Sequence, residues 1–179
     1  MNVLDEIIIR SAGTDPHSGS LQTAELSMRC ALGGTGISLE KREGDGATPA
    51  GRYPFRRCFF RGDRIARPDT VLPITQIGAL DGWSDDPMDP DYNCFVRFPE
   101  DGPRDYSAER LWRDDRIYDL IVVIGHNDDP PVPGAGSAIF MHLARPDFSA
   151  TEGCVALCLK DLLSVVARIG PETIIDIRD

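Results

Sequence analysis

At 179 residues, with 41% hydrophobic and 27% charged side chains, the chain is long enough to bury the core of one domain spanning residues 1–179, and its composition excludes overall disorder. Lys and Arg number 19 against 29 Asp and Glu, a formal net charge of −10. That balance argues against nonspecific nucleic-acid binding, which runs on phosphate neutralisation, and against docking on anionic membrane surfaces.

No apolar run approaches the roughly 20 residues needed to span a bilayer. The opening stretch Met1-Asn2-Val3-Leu4-Asp5-Glu6 has neither a basic n-region nor an apolar h-region with a cleavage site, so no secretory leader is visible and a cytosolic protein or a mature form is expected. Cysteines are odd in number: Cys30, Cys58, Cys94, Cys154 and Cys158. They form no CxxC, so neither a zinc ribbon nor a thioredoxin-type site is suggested, and at least one free thiol is expected.

In chain order, Glu6 to Arg10 is a β-rich run that can open a sheet. His17 sits in a Gly/Ser-rich turn. Ala24 to Ala31 alternates and reads as a strand with Leu26, Met28 and Cys30 on one face. Gly33, Gly34 and Gly36 mark a turn before Ile37 to Leu39, which predicts a hairpin. Arg52 to Arg61 is aromatic and β-leaning, and Val71 to Ile77 is a short strand. Gly78 to Asp91 reads as loop; its Asp cluster lacks EF-hand spacing and is better read as solvated than as a calcium site. Cys94 to Phe98 resumes strand character, and Ser107 to Trp112 predicts one or two helical turns. Tyr118 to Gly125 (YDLIVVIG) is a continuous apolar run, as expected of a strand buried on both faces. A Pro/Gly-rich loop, His126 to Gly136, leads to a second buried strand over Ser137 to Leu143. Leu159, Leu162, Leu163, Val166 and Ile169 recur at helical spacing until Gly170-Pro171 stops the helix, and Thr173 to Ile177 makes a last strand. The pattern is mainly β with one helix near the C-terminus, not the strand–helix alternation of a doubly wound fold.

The chemistry concentrates in Gly136 to Leu159 (GSAIFMHLARPDFSATEGCVALCL). Thiol acyl transfer needs a thiol that can be deprotonated, an imidazole to carry the proton, and backbone N–H groups facing an oxyanion. His142 at a strand end, then Gly153-Cys154 after a loop, can supply them, with Gly153 allowing close main-chain approach to substrate. The competing reading is that Cys154 is buried filler and His142 a satisfied histidine. On these residues alone the two readings balance.

The segment resembles the catalytic motif of YkuD-type L,D-transpeptidase domains: a strand His, a variable loop, then Ser/Thr-x-Gly-Cys, here His142 and Thr151-Glu152-Gly153-Cys154. Lys41 to Gly51 (KREGDGATPAG), followed by Arg52-Tyr53, is similar to the Thr-Pro-x-Gly-x-aromatic opening of a strand near the front of these domains, although turn chemistry alone would also account for its glycines. The resemblance covers roughly Leu26 to Ile177. It implies a mainly β sandwich or open barrel with a few short helices, Cys154 as nucleophile in a cleft, His142 as base, Gly153 beside the oxyanion site, and no metal or organic cofactor. It implies peptidoglycan stem peptides as partners: the Cys attacks the carbonyl preceding a terminal D-Ala, a thioester forms, and an amine gives a 3→3 cross-link while water gives trimming. Acylation by a β-lactam of the carbapenem class is a further expectation, as is a cell-envelope location that the visible sequence does not itself signal. One position departs from the pattern: Ala156 stands where the family often has Arg.

His126 is expected as a cleft residue touching substrate or assisting His142, against the alternative of a loop His bound to Asp128 or Asp129. Thr151 and Ser149 are expected at the cleft through loop hydrogen bonding. Cys154 and Cys158 would share a face for metal or redox pairing only if the helix began early. Alternatives to transpeptidation are an L,D-carboxypeptidase or amidase at the same Cys–His site, a non-catalytic wall-binding module, and a thiol redox sensor.

Overall fold

Ile7 and Ile9 are fully buried between half-buried neighbours, the period-two signature of a strand with one face on a core. That strand is β1 (Glu6–Ser11) of a computed structural model that describes residues 3–179; Met1 and Asn2, from the opening stretch read for a leader, lie outside the described residues. There follow β2 (Ser18–Gln22), β3 (Ser27–Ala31), β4 (Ile37–Ser38), β5 (Thr48–Pro49), β6 (Gly51–Phe60), β7 (Ile74–Gln76), β8 (Asp81–Ser84), β9 (Phe95–Arg97), β10 (Ala108–Arg110), β11 (Leu120–Ile124), β12 (Phe140–Leu143), β13 (Val155–Leu157), α1 (Leu159–Val166) and β14 (Ile174–Ile177).

The main sheet runs β11-β12-β13-β3-β2-β1-β14-β6-β7, and a further β11–β6 pairing closes eight of its strands into a barrel-like ring. Closure depends on the length of β6. Its first half, Gly51 to Pro54, pairs with β14; its second half pairs with β11 on one edge and with β7 on the other. The mainly β expectation holds, with a closed rather than open sheet and one α-helix among the described residues.

Two apolar clusters explain why β11 reads as an uninterrupted hydrophobic run and why β12 is buried along its length. One fills the ring, drawing Ile7, Leu21, Phe55, Val122, Met141 and Val155 together with Leu162, Val165 and Val166 of α1. The other lies on the opposite face, where Ile121, Val123 and Phe140 meet Phe59, Trp83 and Tyr118. A strand covered on both sides has no face left to be polar. The second cluster is roofed by a three-stranded sheet, β10-β8-β9.

Several local expectations change. Gly33 to Gly36 does not turn a hairpin: β4 pairs in parallel with β5. The hairpin is instead β2–β3, built from the Gly/Ser-rich segment after His17. Ser107 to Trp112 is not helical, because Ala108–Arg110 is recruited as an edge strand antiparallel to β8. Part of the Asp-rich segment is likewise strand: β8 holds Trp83 over the second cluster, and its acids serve the local fold, Asp81 accepting from Gly78 N–H and Asp89 pairing with Arg104. In α1 the buried positions are Leu162, Val165 and Val166, while Leu159 and Leu163 face solvent.

Candidate active site

The parallel pairing of β12 with β13 aligns Met141 with Val155 and His142 with Ala156, which brings Cys154, just before β13, alongside Phe140. The Cys154 sulfur accepts the Phe140 N–H at 3.3 Å and donates to the Ala138 carbonyl at 3.2 Å. Phe140 and His142 project from the same face of β12, since alternate residues of a strand share a face. Cys154 and His142 are both nearly buried, and both line one cavity of about 740 Å³.

His142 Nδ1 lies 2.9 Å from the Leu143 carbonyl. A carbonyl can only accept, so Nδ1 carries the hydrogen and Nε2 is left with its lone pair, the form a general base needs. The edge of the imidazole packs at 77° against the Tyr118 ring, centroids 5.2 Å apart. The Tyr118 hydroxyl donates to Glu109 Oε1 at 2.8 Å. Burial pushes the His142 imidazole down to about 4, against the pull of the Leu143 carbonyl, and the Arg145 and Arg113 charges push the same way as burial. Burial drives the Cys154 thiol up to about 12, with Glu109 adding to the rise and the Phe140 N–H and Lys41 opposing it. The thiol and the imidazole that line this cavity therefore both rest uncharged.

The loop before Cys154 is held from both sides. Thr151 Oγ1 donates to the Cys154 carbonyl at 2.7 Å and accepts Gly153 N–H at 3.2 Å. Thr151 also bridges in parallel to Gly33. Gly33 N–H in turn donates 2.8 Å to the buried Thr48 hydroxyl, so the Lys41-to-Gly51 block forms the seat of the loop before Cys154. Asp45 fixes that block: burial alone would raise its carboxyl, but Lys41 and the Ala47 and Arg42 amides hold it below the ordinary value. Gly153 has φ +132°, and a Cβ there would sit 2.6 Å from the Ala47 carbonyl oxygen. The close approach that demands glycine is thus to the Ala47 backbone rather than to substrate.

Of the expected site residues, Cys154, His142 and Thr151 come together at the cavity, with Gly153 in the loop beneath it. His126 and Ser149 do not line it. His126 Nε2 faces the Ala135 carbonyl at 3.0 Å, its ring stands edge-on to Tyr53, and it borders a separate pocket of about 260 Å³. Asp128, its expected alternative partner, is held by Arg56. Ser149 closes a tight turn on Asp147. Cys154 and Cys158 flank β13 instead of sharing a helix turn; an extended chain of that length separates their Cα atoms by about 13 Å, too far for a disulfide. Among the described residues no cluster of three His, Cys, Asp or Glu could hold a metal ion, and no helix is long and apolar enough to cross a membrane.

Sequence reasoning missed Tyr118, Glu109 and Asn93. Asn93, almost wholly buried, uses its whole amide. Oδ1 accepts from Trp83 Nε1 at 2.9 Å and from Ala138 N–H at 3.0 Å, and Nδ2 donates to the carbonyls of His126 and Asn127 at 3.0 and 2.8 Å. It thereby holds Ala138, whose φ is +52°, with its carbonyl on the Cys154 sulfur. Its own backbone is left-handed, φ +57°, a conformation that Asn tolerates.

The description YkuD, L,D-transpeptidase catalytic domain, belongs to a family model that matches residues 20–177. No curated protein and no solved structure matches the chain.

Proposed function

Because the chain belongs to the L,D-transpeptidase catalytic domain family, which modifies peptidoglycan, we propose that residues 1–179 act as one catalytic domain transferring the acyl group of a stem peptide through a thioester on Cys154. The observation that carries this reading is the placing of a thiol and an Nε2-basic imidazole on one open cavity.

The reaction starts from neutral partners. As the Cys154 sulfur attacks the carbonyl of the L-centre preceding D-Ala, its proton leaves the Ala138 carbonyl for His142 Nε2. The carbonyl oxygen takes up the negative charge. Gly153 N–H is engaged by Thr151, which leaves the Cys154 N–H as the loop donor suited to that oxygen. Collapse breaks the C–N bond, His142 returns the proton to the departing D-Ala amine, and the thioester remains. An amine then forms a new amide and frees the thiol; water in its place gives the carboxypeptidase outcome. A carbapenem would acylate the same sulfur by ring opening.

Incubation with a stem tetrapeptide tests this. Release of D-Ala together with a cross-linked dimer is expected, both lost in Cys154→Ala. Release without dimer indicates the hydrolase; neither product from folded protein overturns the catalytic reading in favour of a wall-binding module.

A further inference from the structure

We propose that Asp85, Glu152 and Ser137 form a subsite for a primary ammonium group, through which the acyl acceptor reaches the Cys154 thioester; this rests on the acyl-transfer reading above. The cavity is lined by five carboxylates, Glu43, Asp45, Asp85, Glu109 and Glu152, and by three guanidiniums, Arg110, Arg113 and Arg145. Most are already committed. Asp45 pairs with Lys41, and Glu43 accepts the Tyr92 hydroxyl at 2.5 Å. Glu109 takes the Tyr118 hydroxyl and lies 3.6 Å from Arg113, which itself makes two hydrogen bonds to Asp115. Arg145 leans to Asp115 at 3.8 Å, and Arg110 lies over the Phe98 ring. Among the described residues Asp85 and Glu152 have no ion-pair partner.

Two orphaned polar atoms point to a missing ligand. Asp85 Oδ1 is buried with no hydrogen-bond partner. So is Ser137 Oγ, on a side chain of a residue only 7% exposed. Buried polar atoms are nearly always partnered, and two exceptions on one cavity wall call for a group that would meet them. Position relates them to the chemistry: Ser137 precedes Ala138, whose carbonyl holds the sulfur, and Glu152 lies two residues before Cys154. Asp85 and Glu152 both push the Glu109 carboxyl up, so the two act on one neighbourhood. Two unpaired carboxylates and a neutral hydroxyl suit an ammonium with its three N–H donors and repel a carboxylate.

The bound ammonium gives one proton to solvent or to a neighbouring carboxylate. The resulting amine attacks the thioester carbonyl, the C–N bond forms and the C–S bond breaks. The second nitrogen proton passes through His142 Nε2 to the sulfur, regenerating the thiol and an amide.

The test uses the full chain, a stem tetrapeptide as donor and a diamino-acid stem tripeptide as acceptor. Intact mass follows the acyl-enzyme, and product masses give the ratio of cross-link to hydrolysis. In the parent the ratio should rise with acceptor and saturate. In Asp85→Asn, Glu152→Gln and Ser137→Ala the acyl-enzyme should still accumulate, while the acceptor KM rises, about tenfold for each charge removed if each is worth about 1.4 kcal/mol. Cross-linking that is linear in acceptor with no saturation in the parent overturns the subsite without need of any variant, and so does an unchanged acceptor KM in folded variants. Failure of the parent to form an acyl-enzyme at all overturns the acyl-transfer reading instead, and the subsite with it.

Discussion

Cys154 and His142 are both held uncharged, and that determines how the site should respond to pH. The imidazole is pushed down to about 4, so it remains a base well below the range where an ordinary histidine would be protonated. The acid limb of kcat/KM for D-Ala release should therefore fall nearer pH 4 than pH 6.5. Stability carries the same signature. Above pH 6.5 neither the folded nor the unfolded chain protonates this histidine; between 6.5 and 4 only the unfolded chain does, so stability is lost as pH falls through that window, by up to about 3 kcal/mol. Denaturant titrations of the parent and His142→Gln should show that slope in the parent and its loss in the variant. Asn93 acts one step further out. Asn93→Ala removes two donors and an acceptor from buried backbone and side-chain partners, and misplacing a reacting group by about 1 Å can cost about a hundredfold. A fall of that order in kcat, with a changed pH profile for alkylation of Cys154, is expected; loss of stability alone would leave the profile of the folded fraction as it was. His142 and Cys154 were legible as site candidates because His142 and Thr151-Glu152-Gly153-Cys154 lie within one short segment. Asn93, Glu109 and Tyr118 were not, because each reaches the site from the roofing sheet or its connections, and nothing local to their sequence marks a side chain that will meet a segment distant in the chain.

Among the elements, the β12–β13 ladder brings Cys154 alongside Phe140 and the β4–β5 pair braces the loop before it. Buried runs such as Leu120–Ile124, and the α1 stripe ended by Gly170-Pro171, could be read from pattern because each is long enough to show its period. Short edge strands could not. Ala108–Arg110 has only three residues and owes its conformation to pairing with β8, so tertiary contact overrode its local helical leaning. The Thr48 hydroxyl, inside a segment readable as mere turn chemistry, accepts the buried Gly33 N–H. Thr48→Val keeps the shape and leaves that N–H unsatisfied, for a loss of about 1–3 kcal/mol in a thermal or denaturant melt. Gly153→Ala meets both a 2.6 Å contact with backbone and an unfavourable φ, and should lower D-Ala release even where the variant folds.

Across the whole molecule, the ring is closed by strands from opposite ends of the described chain. β14 lies between β1, in parallel, and β6, antiparallel, so the last strand completes what the first begins. Such pairings are made late and slowly, since loop closure must come before their contacts form, and refolding on the millisecond-to-second scale is expected by stopped flow. Removing residues 174–179 would bare the edges of β1 and β6 and open the core, so the shortened chain should show no cooperative melt. The ring itself was not legible beforehand: strand identities follow from local pattern, whereas the β11–β6 closure depends on where β6 changes neighbour along its length.

The most direct measurement is an intact-mass and peptide-mapping experiment on protein quenched during turnover of a stem tetrapeptide. The account predicts an adduct equal to the tetrapeptide less D-Ala, carried as a thioester on Cys154 and absent from Cys154→Ala. Folded protein that releases D-Ala with no adduct on Cys154, or with the adduct on another residue, would contradict it.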